Sequence, residues 1–368
     1  MHIAQVVPRG EQPWSGILTV IVHLAAALAR RGHGVDVLQL HPWPPSEYAE
    51  QRRVLEGAGV AQVPVRGTGR LGRETARVAE DRGVEIVHLH GAFNPSNTLV
   101  SRALRRPYVF SPHSGYDPVS LRRSGGRKVV YRALFERRML DEASLVVALT
   151  DVELADVRAI GAAGPCDVIP NGVAPPPEDI DRHTFREGLD IAPDALLALF
   201  VGRLDVHRKG LDILARGIAA APAWHVALVG PRFRGVGHLE RTVAEFGIHD
   251  RVHLVGERHG RHLLESVASA DVFALLSRWE GHPMALLESL SLGVPAVVSP
   301  AVERAIGVEA AGAGWVATDN DLGPLLRGLD RNEIERRGRA ASELSRRYDW
   351  DRIAERYEAA YAHVIERS

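Results

Sequence analysis

Glu280 and Glu288 are the first pair of side chains whose types and spacing suggest chemistry. They stand eight positions apart in SRWEGHPMALLESLSLG, residues 277–293. The apolar run ADVFALL, residues 270–276, precedes them and has the length of a buried parallel strand. A polar turn and then a helix are expected next. Pro283 suits a first helical position, where its missing N–H costs nothing, and Gly293 suits the stop. Leu286, Leu287, Leu290 and Val294 recur at helical spacing and give one apolar stripe. At 100° per residue Glu288 lies roughly 200° round from Leu286, facing away from that stripe. Glu280 falls in the turn. Two carboxylates therefore flank the free N–H groups of a helix start at the carboxyl end of a strand, where polar and anionic ligands bind in open α/β sheets. The plain alternative is a cap-region charge and a solvated helix residue, because acidic side chains favour first turns.

Arg203 and Lys209 form the second pair, in VGRLDVHRKGLD. They leave a glycine-flanked loop beside an expected helix start, an arrangement that holds phosphate. Of 45 basic side chains only Lys128 and Lys209 are lysines. A lysine kept against that bias matters, since a compact charge on a flexible stem differs from a guanidinium fork. Read as an exposed cation, Lys209 is removable without cost to the fold; ordinary surface charge is the other reading. His113 sits in the Pro/Ser/Gly turn of RPYVFSPHSGYDP, just after a strand, where functional groups tend to appear.

Three patterns mislead. Gly67 to Gly72 spells GxGxxG but follows the third expected strand, not the first, and a lone match of this kind is weak. Asp319-Asn320-Asp321 spells DxD, yet it precedes LGPLLRGL and reads better as a helix N-cap turn. His88 and His90 share one strand face, a metal-like spacing. With no cysteine or carboxylate near them in sequence, packed or hydrogen-bonded histidines are expected. No metal and no cofactor is expected.

These residues need elements to position them. A chain of 368 residues, 45% hydrophobic and 25% charged, has room for two or three domains with sizeable cores. A net charge of −1 offers no global field for nucleic acid. The lone cysteine, Cys166, excludes an internal disulfide and fits a reducing compartment. No signal peptide and no spanning segment is evident, so a cytoplasmic protein is expected. Strand, loop, helix, strand is the opening order, and strands at residues 61–65, 85–90, 108–111 and 145–149 continue it, as in a parallel doubly wound sheet. After VIPNGV, the connector APPPEDIDR marks a boundary. The α/β alternation then restarts. The expected domains are residues 1–174, a linker at 175–190, 191–349, and a terminal helix at 350–368. Residues 122–140 hold seven basic side chains against one acid, with Tyr131, Leu134 and Phe135 among them. A solvated basic face with its apolar side in the core is expected there; a weak membrane contact through the stretch from Arg122 to Arg138 is the alternative.

The pattern E-G-x-P-x-x-x-x-E, followed by a small-residue helix and GVPAVV, resembles the signature of retaining glycosyltransferases of the GT-B fold, in particular family 4, the glycosyl transferases group 1. The Arg203/Lys209 loop, VEIVHLHG and the segment around His113 resemble that family too, so the resemblance covers nearly the whole chain. It implies two Rossmann-like doubly wound domains facing across a cleft, with a C-terminal helix crossing back to the first. The first would hold the acceptor and the second the nucleotide sugar. It implies a metal-independent, retaining transfer from a nucleoside diphosphate sugar, UDP or GDP, to a small-molecule or lipid-linked acceptor. Arg203 and Lys209 would hold the donor pyrophosphate, and Glu288 the ribose. Glu280, the backbone of Gly281, His282, Pro283 and Met284 through its free N–H groups, and His113 would hold the sugar. The leaving phosphate would take the acceptor proton. The first loop departs from the family: Ser15-Gly16 stands where a Gly-Gly pair is usual, and Gly16 is left to offer its amide to the pyrophosphate. A glycoside hydrolase using Glu280 and Glu288, and a non-catalytic transferase-like subunit, are the rival readings.

Overall fold

The computed structural model describes residues 1–67, 70–123, 126–192 and 194–368; the side chains of residues 120 and 123 are not among those described. The chain divides into two compact units, Met1–Gly172 with Trp350–Ser368, and Val173–Asp349.

The first unit is a seven-stranded parallel sheet: β1 (His2–Val7), β2 (Gly34–Gln39), β3 (Ala61–Pro64), β4 (Ile86–His90), β5 (Tyr108–Ser111), β6 (Leu145–Ala148) and β7 (Cys166–Val168), in the order 3-2-1-4-5-6-7. Burial on both faces explains why the inner strands read as largely apolar runs, while the edge strands β3 and β7 are partly exposed. Winding runs outward in opposite directions from β1 and β4, so the switch point lies between these strands. The loop after β1 is tied to its neighbours there: Arg9 donates its backbone N–H to Ser96 Oγ (3.1 Å), and Asn94 Nδ2 donates to the Arg9 carbonyl (3.0 Å). The terminal helix Trp350–Glu366 packs in this unit through Trp350, Ile353, Ala354, Tyr357, Tyr361 and Val364, one stripe at helical period. Gly172 makes the seat for Trp350, since a Cβ there would lie 2.4 Å from the indole.

The second unit is a six-stranded parallel sheet of β8 (Leu196–Val201), β9 (Trp224–Val229), β10 (Val252–Gly256), β11 (Val272–Leu275), β12 (Ala296–Val298) and β13 (Gly314–Val316), in the order 10-9-8-11-12-13. Its switch point lies between β8 and β11. Both units are Rossmann-like. The proline-rich segment 175–190 belongs to this second unit, and Phe185 packs into its core.

Several expectations change. Pro283 is the N-cap (ψ 116°), and the helix runs Met284–Ser291. Residues 122–140 are not one amphipathic helix. Helix Arg127–Tyr131 passes into a π-helical turn, Arg132–Glu136, and then into helix Arg137–Glu142. The widened turn carries Glu136 inward, where it accepts hydrogen bonds from the Phe93 N–H and, at 3.1 Å, from Tyr116 Oη. Met139 and Leu140 are buried beyond it, but the expectation of a core-facing apolar side fails before it. Val130 is 56% exposed, Leu134 64% and Phe135 41%. Of the GxGxxG pattern, Thr68 and Gly69 lie outside the described residues. Gly72 serves packing, because a Cβ there would come 2.0 Å from the Leu99 carbonyl oxygen. In the DxD pattern Asp319 takes hydrogen bonds from Arg216 (2.9 and 2.8 Å), and Asp321 is the N-cap of helix Leu322–Gly328.

Candidate active site

The loops after β8 and β11 meet at the switch point of the second unit. After β8 the chain makes one helical turn, Val206–Lys209, whose N-cap Asp205 accepts from the Arg208 N–H (3.3 Å). Gly210 then takes φ +65°, and a Cβ there would lie 2.1 Å from the Leu276 carbonyl oxygen. Only glycine permits that approach, which presses the β8 loop against the residues leaving β11. Arg278 closes the junction. Its N–H donates to the Arg208 carbonyl (2.8 Å), and its guanidinium forks onto Asp212 at 2.9 and 2.8 Å.

This junction places Lys209 on Glu280. Lys209 Nζ donates to Glu280 Oε1, which also accepts from Ser277 Oγ at 2.7 Å; Arg208 stands 3.9 Å from the second oxygen. Neither partner is the surface charge that the sequence suggests: the Glu280 side chain is 7% exposed and that of Lys209 17%. Burial by itself would raise the Glu280 carboxyl. The Lys209 ammonium, Arg208 and the Ser277 hydroxyl outweigh it and hold the group below its ordinary value. Glu280 is therefore ionised at neutral pH.

Arg203 is exposed and lies over the Phe233 ring, 5.4 Å from its centroid, with Arg234 at 5.3 Å from the same ring. The stack follows from a second close approach, between Gly202 and Gly230, where a Cβ on Gly230 would sit 2.1 Å from the Gly202 carbonyl oxygen. Gly281, Pro283 and Met284 are half-buried at the start of helix Met284–Ser291, whose first amides have no acceptor within the helix. His282 is buried edge-on against Tyr348 (5.1 Å), and burial lowers its pKa to about 3, so it is neutral. Glu288 is half-buried on the same helix, just over one turn from its start. Arg203, Lys209, Glu280, Glu288 and residues 281–284 thus share one end of one sheet.

Gly16 and His113 belong to the first unit. Gly16 opens helix Gly16–Arg30 behind the N-cap Ser15, whose side chain accepts from the Leu18 N–H at 3.0 Å. Its amide has no acceptor within the helix, so the Ser15 departure leaves a conventionally capped helix start. His113 and Ser114 follow β5 with φ +50° and +59°, a left-handed pair that costs L-residues energy. Glu153 holds them there: it accepts from the Ser114 N–H and, at 2.8 Å, from the Leu149 N–H. His88 and His90 are hydrogen-bonded core histidines, and His90 Nδ1 lies 3.0 Å from His113 Nε2. Sequence reasoning missed Gln5, Tyr361 and Glu153 around His113, Glu136 beneath Phe93 and Tyr116, Ser277 and Arg208 around the Lys209–Glu280 pair, and Phe233 under Arg203. A polar residue inside an apolar run, as Gln5 is in HIAQVV, was the available signal.

Two family models match the chain: Glycosyltransferase Family 4 over residues 14–175 and Glycosyl transferases group 1 over residues 195–330. The chain is 27% identical to a D-inositol 3-phosphate glycosyltransferase of Actinosynnema mirum, over 99% of this chain and 96% of that protein. It is 24% identical to the GDP-mannose:cellobiosyl-diphosphopolyprenol alpha-mannosyltransferase of Xanthomonas campestris, over 97% and 95% of the two chains. Among solved structures, Anabaena Alr3699/HepE in complex with UDP-glucose superposes with a TM-score of 0.78 at 20% identity, covering 99% of this chain and all of that one. WaaG, a glycosyltransferase involved in lipopolysaccharide biosynthesis, gives 0.70 at 20% identity over 98% and 99%. At such identities the superpositions speak for the fold.

Proposed function

From a chain that belongs to the family 4, group 1 glycosyltransferases of the GT-B fold, we propose that this protein is a retaining, metal-independent enzyme that takes its sugar from a nucleoside diphosphate sugar, with UDP and GDP the first bases to test. The observation that carries this reading is the junction at the second unit's switch point, where Arg203, Lys209 and a helix start with Glu280 and Glu288 converge. Arg203 and Lys209 hold the diphosphate. As the bond from the sugar C1 to the diphosphate oxygen breaks, negative charge grows on that oxygen, and these cations stabilise it. The acceptor oxygen bonds to C1 from the same face, and its proton passes to the departing diphosphate. Glu288 takes the ribose hydroxyls. Glu280, the N–H groups of Gly281, His282 and Met284, and His113 take the sugar, with Pro283 shaping the turn between them, and the Gly16 amide is the first unit's contact to the pyrophosphate. No metal or cofactor is required by these steps. A hydrolase acid needs a raised pKa; Glu280 is held low and ionised, which counts against that role.

The acceptor is read from the first unit. Leu99, Val130, Leu134 and Phe135 are exposed beside Arg102, Arg127 and Arg132, and Arg102 lies over the Phe135 ring at 5.8 Å. A large exposed apolar cluster ringed with cations fits an anionic bilayer, and with it a lipid-linked acceptor. This reading takes up the weak membrane contact in place of the solvated basic face with its apolar side in the core. The contact proposed is a peripheral one; no helix among the described residues is long and apolar enough to cross a membrane. The direct test of the donor is thermal stabilisation by UDP, GDP, ADP and their sugars. One nucleotide at about 100 times its Kd should add ~2.7 kcal/mol. Indifference to all of them would remove the donor reading.

A further inference from the structure

A chain of hydrogen bonds runs through the first unit from the terminal helix to His113. Ser111 Oγ meets His88 Nε2 (2.8 Å), and His88 Nδ1 meets Tyr361 Oη (2.7 Å). Gln5 Nε2 donates to Tyr361 Oη (3.1 Å), Gln5 Oε1 meets His90 Nε2 (2.7 Å), and His90 Nδ1 meets His113 Nε2 (3.0 Å). Ser111, His88, Tyr361, Gln5 and His90 are each 0% exposed; His113 is the partly exposed end. The chain draws on β1, β4, β5, the loop after β5 and helix Trp350–Glu366, all within one unit.

Imidazoles and hydroxyls can run such a chain in either direction, but a carboxamide cannot, because its oxygen only accepts and its nitrogen only donates. Gln5 turns its oxygen to His90, so His90 carries its proton on Nε2. Its Nδ1 is then a lone pair, and His113 must donate from Nε2. In the other direction Gln5 Nε2 donates to Tyr361 Oη, which frees the phenolic proton for His88 Nδ1, and His88 Nε2 donates to Ser111. With the Gln5 amide turned this way, every contact is satisfied in that one order, and turning the amide over would reverse them all. Burial keeps the three rings neutral at pH 7: it lowers His88 and His90 well below the ordinary imidazole value and His113 to about 4.

We propose that Gln5 and Tyr361 are positioning residues: they fix the proton order of this chain so that His113 keeps its proton on Nε2 and presents a bare, hydrogen-bond-accepting Nδ1. Resting on the reading of His113 as a contact to the transferred sugar, this makes the site select a sugar hydroxyl, a donor, at that point. It also gives the terminal helix a share in donor selection through Tyr361, which touches no substrate itself.

The test reads tautomers in the whole protein, labelled with ¹⁵N-histidine, with long-range proton–nitrogen spectra at pH 7 and no ligand. His113→Gln assigns the resonances. Wild-type His113 should show a protonated Nε2 and a pyridine-like Nδ1. Tyr361→Phe takes away the acceptor that holds the Gln5 amide, so the His113 nitrogens should move towards the average of two tautomers, and Gln5→Met should do the same. A wild-type His113 protonated on Nδ1, or doubly protonated, overturns the proposal. So does a Tyr361→Phe spectrum identical to wild type at His113. The wild-type spectrum decides the proton order even if a variant fails to fold. It needs no donor either, so failure of the transferase reading would be seen separately, in the nucleotide screen.

Discussion

Lys209 and Glu280 neutralise one another 71 positions apart in sequence, in a junction nearly closed to solvent. Breaking such a pair by removing one partner leaves an uncompensated buried charge and costs about 3–5 kcal/mol. Lys209→Met should therefore lose stability as well as transfer, against the expectation for an exposed cation. Adding Glu280→Gln should return a good part of the stability and none of the activity. Denaturant unfolding of the four proteins in a double-mutant cycle measures the coupling, and additive effects would mean that the pair does not form. Sequence reading found each of these residues but not their contact. The rarity of lysine marks Lys209, and the acid spacing marks Glu280, yet nothing local says that a four-residue helical turn aims one at the other. Glu153 was wholly illegible, since an acid in the first turn of helix Asp151–Ala159 looks like ordinary dipole complementation. Burial raises its pKa from 4.5 to about 7 despite the two amides it accepts. Between those values the folded state binds more protons than the unfolded, so this group's contribution is full below pH about 4.5, falls as pH rises, and is gone above about 7. The span is on the order of 3 kcal/mol. The neutral buried histidines slope the other way, so the measurable quantity is a difference. Glu153→Gln should lose less stability than wild type between pH 4.5 and 7, and parallel curves for the two would refute the assignment.

At the scale of elements, the inner strands were legible because strands buried on both faces must be largely apolar, as LLALFV in β8 is. Places where an element departs from its period were not legible. The π-helical turn Arg132–Glu136 admits one residue more than an α-turn, which rotates everything after it. A stripe counted at 3.6 residues per turn across that point puts Leu134 and Phe135 in the core, and they are outside. Gly210 is a clearer case of geometry setting function. Its left-handed conformation and contact with the Leu276 carbonyl decide where the helical turn of Lys209 ends and where helix Leu211–Ala219 begins. Gly210→Ala adds a methyl where 2.1 Å is available to backbone, so the loops after β8 and β11 must part. The expected result is a loss of at least ~1 kcal/mol in stability, with nucleotide binding weakened by more than that loss explains. Gly237, within helix Val236–Glu245 and with open space around its Cβ, is the control, where alanine should be neutral or stabilising. Equal behaviour of the two variants would count against the junction as the organising contact.

Across the whole molecule, each unit is a doubly wound sheet, and both assemble groups at the carboxyl ends of strands beside a switch point. They differ in surface. The first unit carries Leu99, Val130, Leu134 and Phe135 exposed near Arg102, Arg127 and Arg132, while Arg137 and Arg138 are engaged by Asp141 and Glu142 at 2.7 and 2.8 Å. Two forces would hold this patch to a bilayer, and they scale differently. Each free cation contributes roughly 1 kcal/mol near an anionic leaflet, a contribution that salt screens. Each apolar side chain that enters the interface contributes roughly 1.5–3 kcal/mol if fully buried, and salt does not weaken it. A docked patch should therefore bind anionic vesicles strongly at low salt and keep a measurable fraction at high salt. Leu134→Ser with Phe135→Ser should remove that residue of binding while leaving nucleotide binding in the second unit unchanged. Arg102→Gln with Arg127→Gln should do the reverse, lowering affinity at low salt and little at high salt. Sedimentation with phosphatidylglycerol-containing vesicles, against phosphatidylcholine alone, separates the two contributions. Wild-type protein that stays in the supernatant under every condition would return residues 127–138 to a solvated face and the acceptor to a soluble molecule.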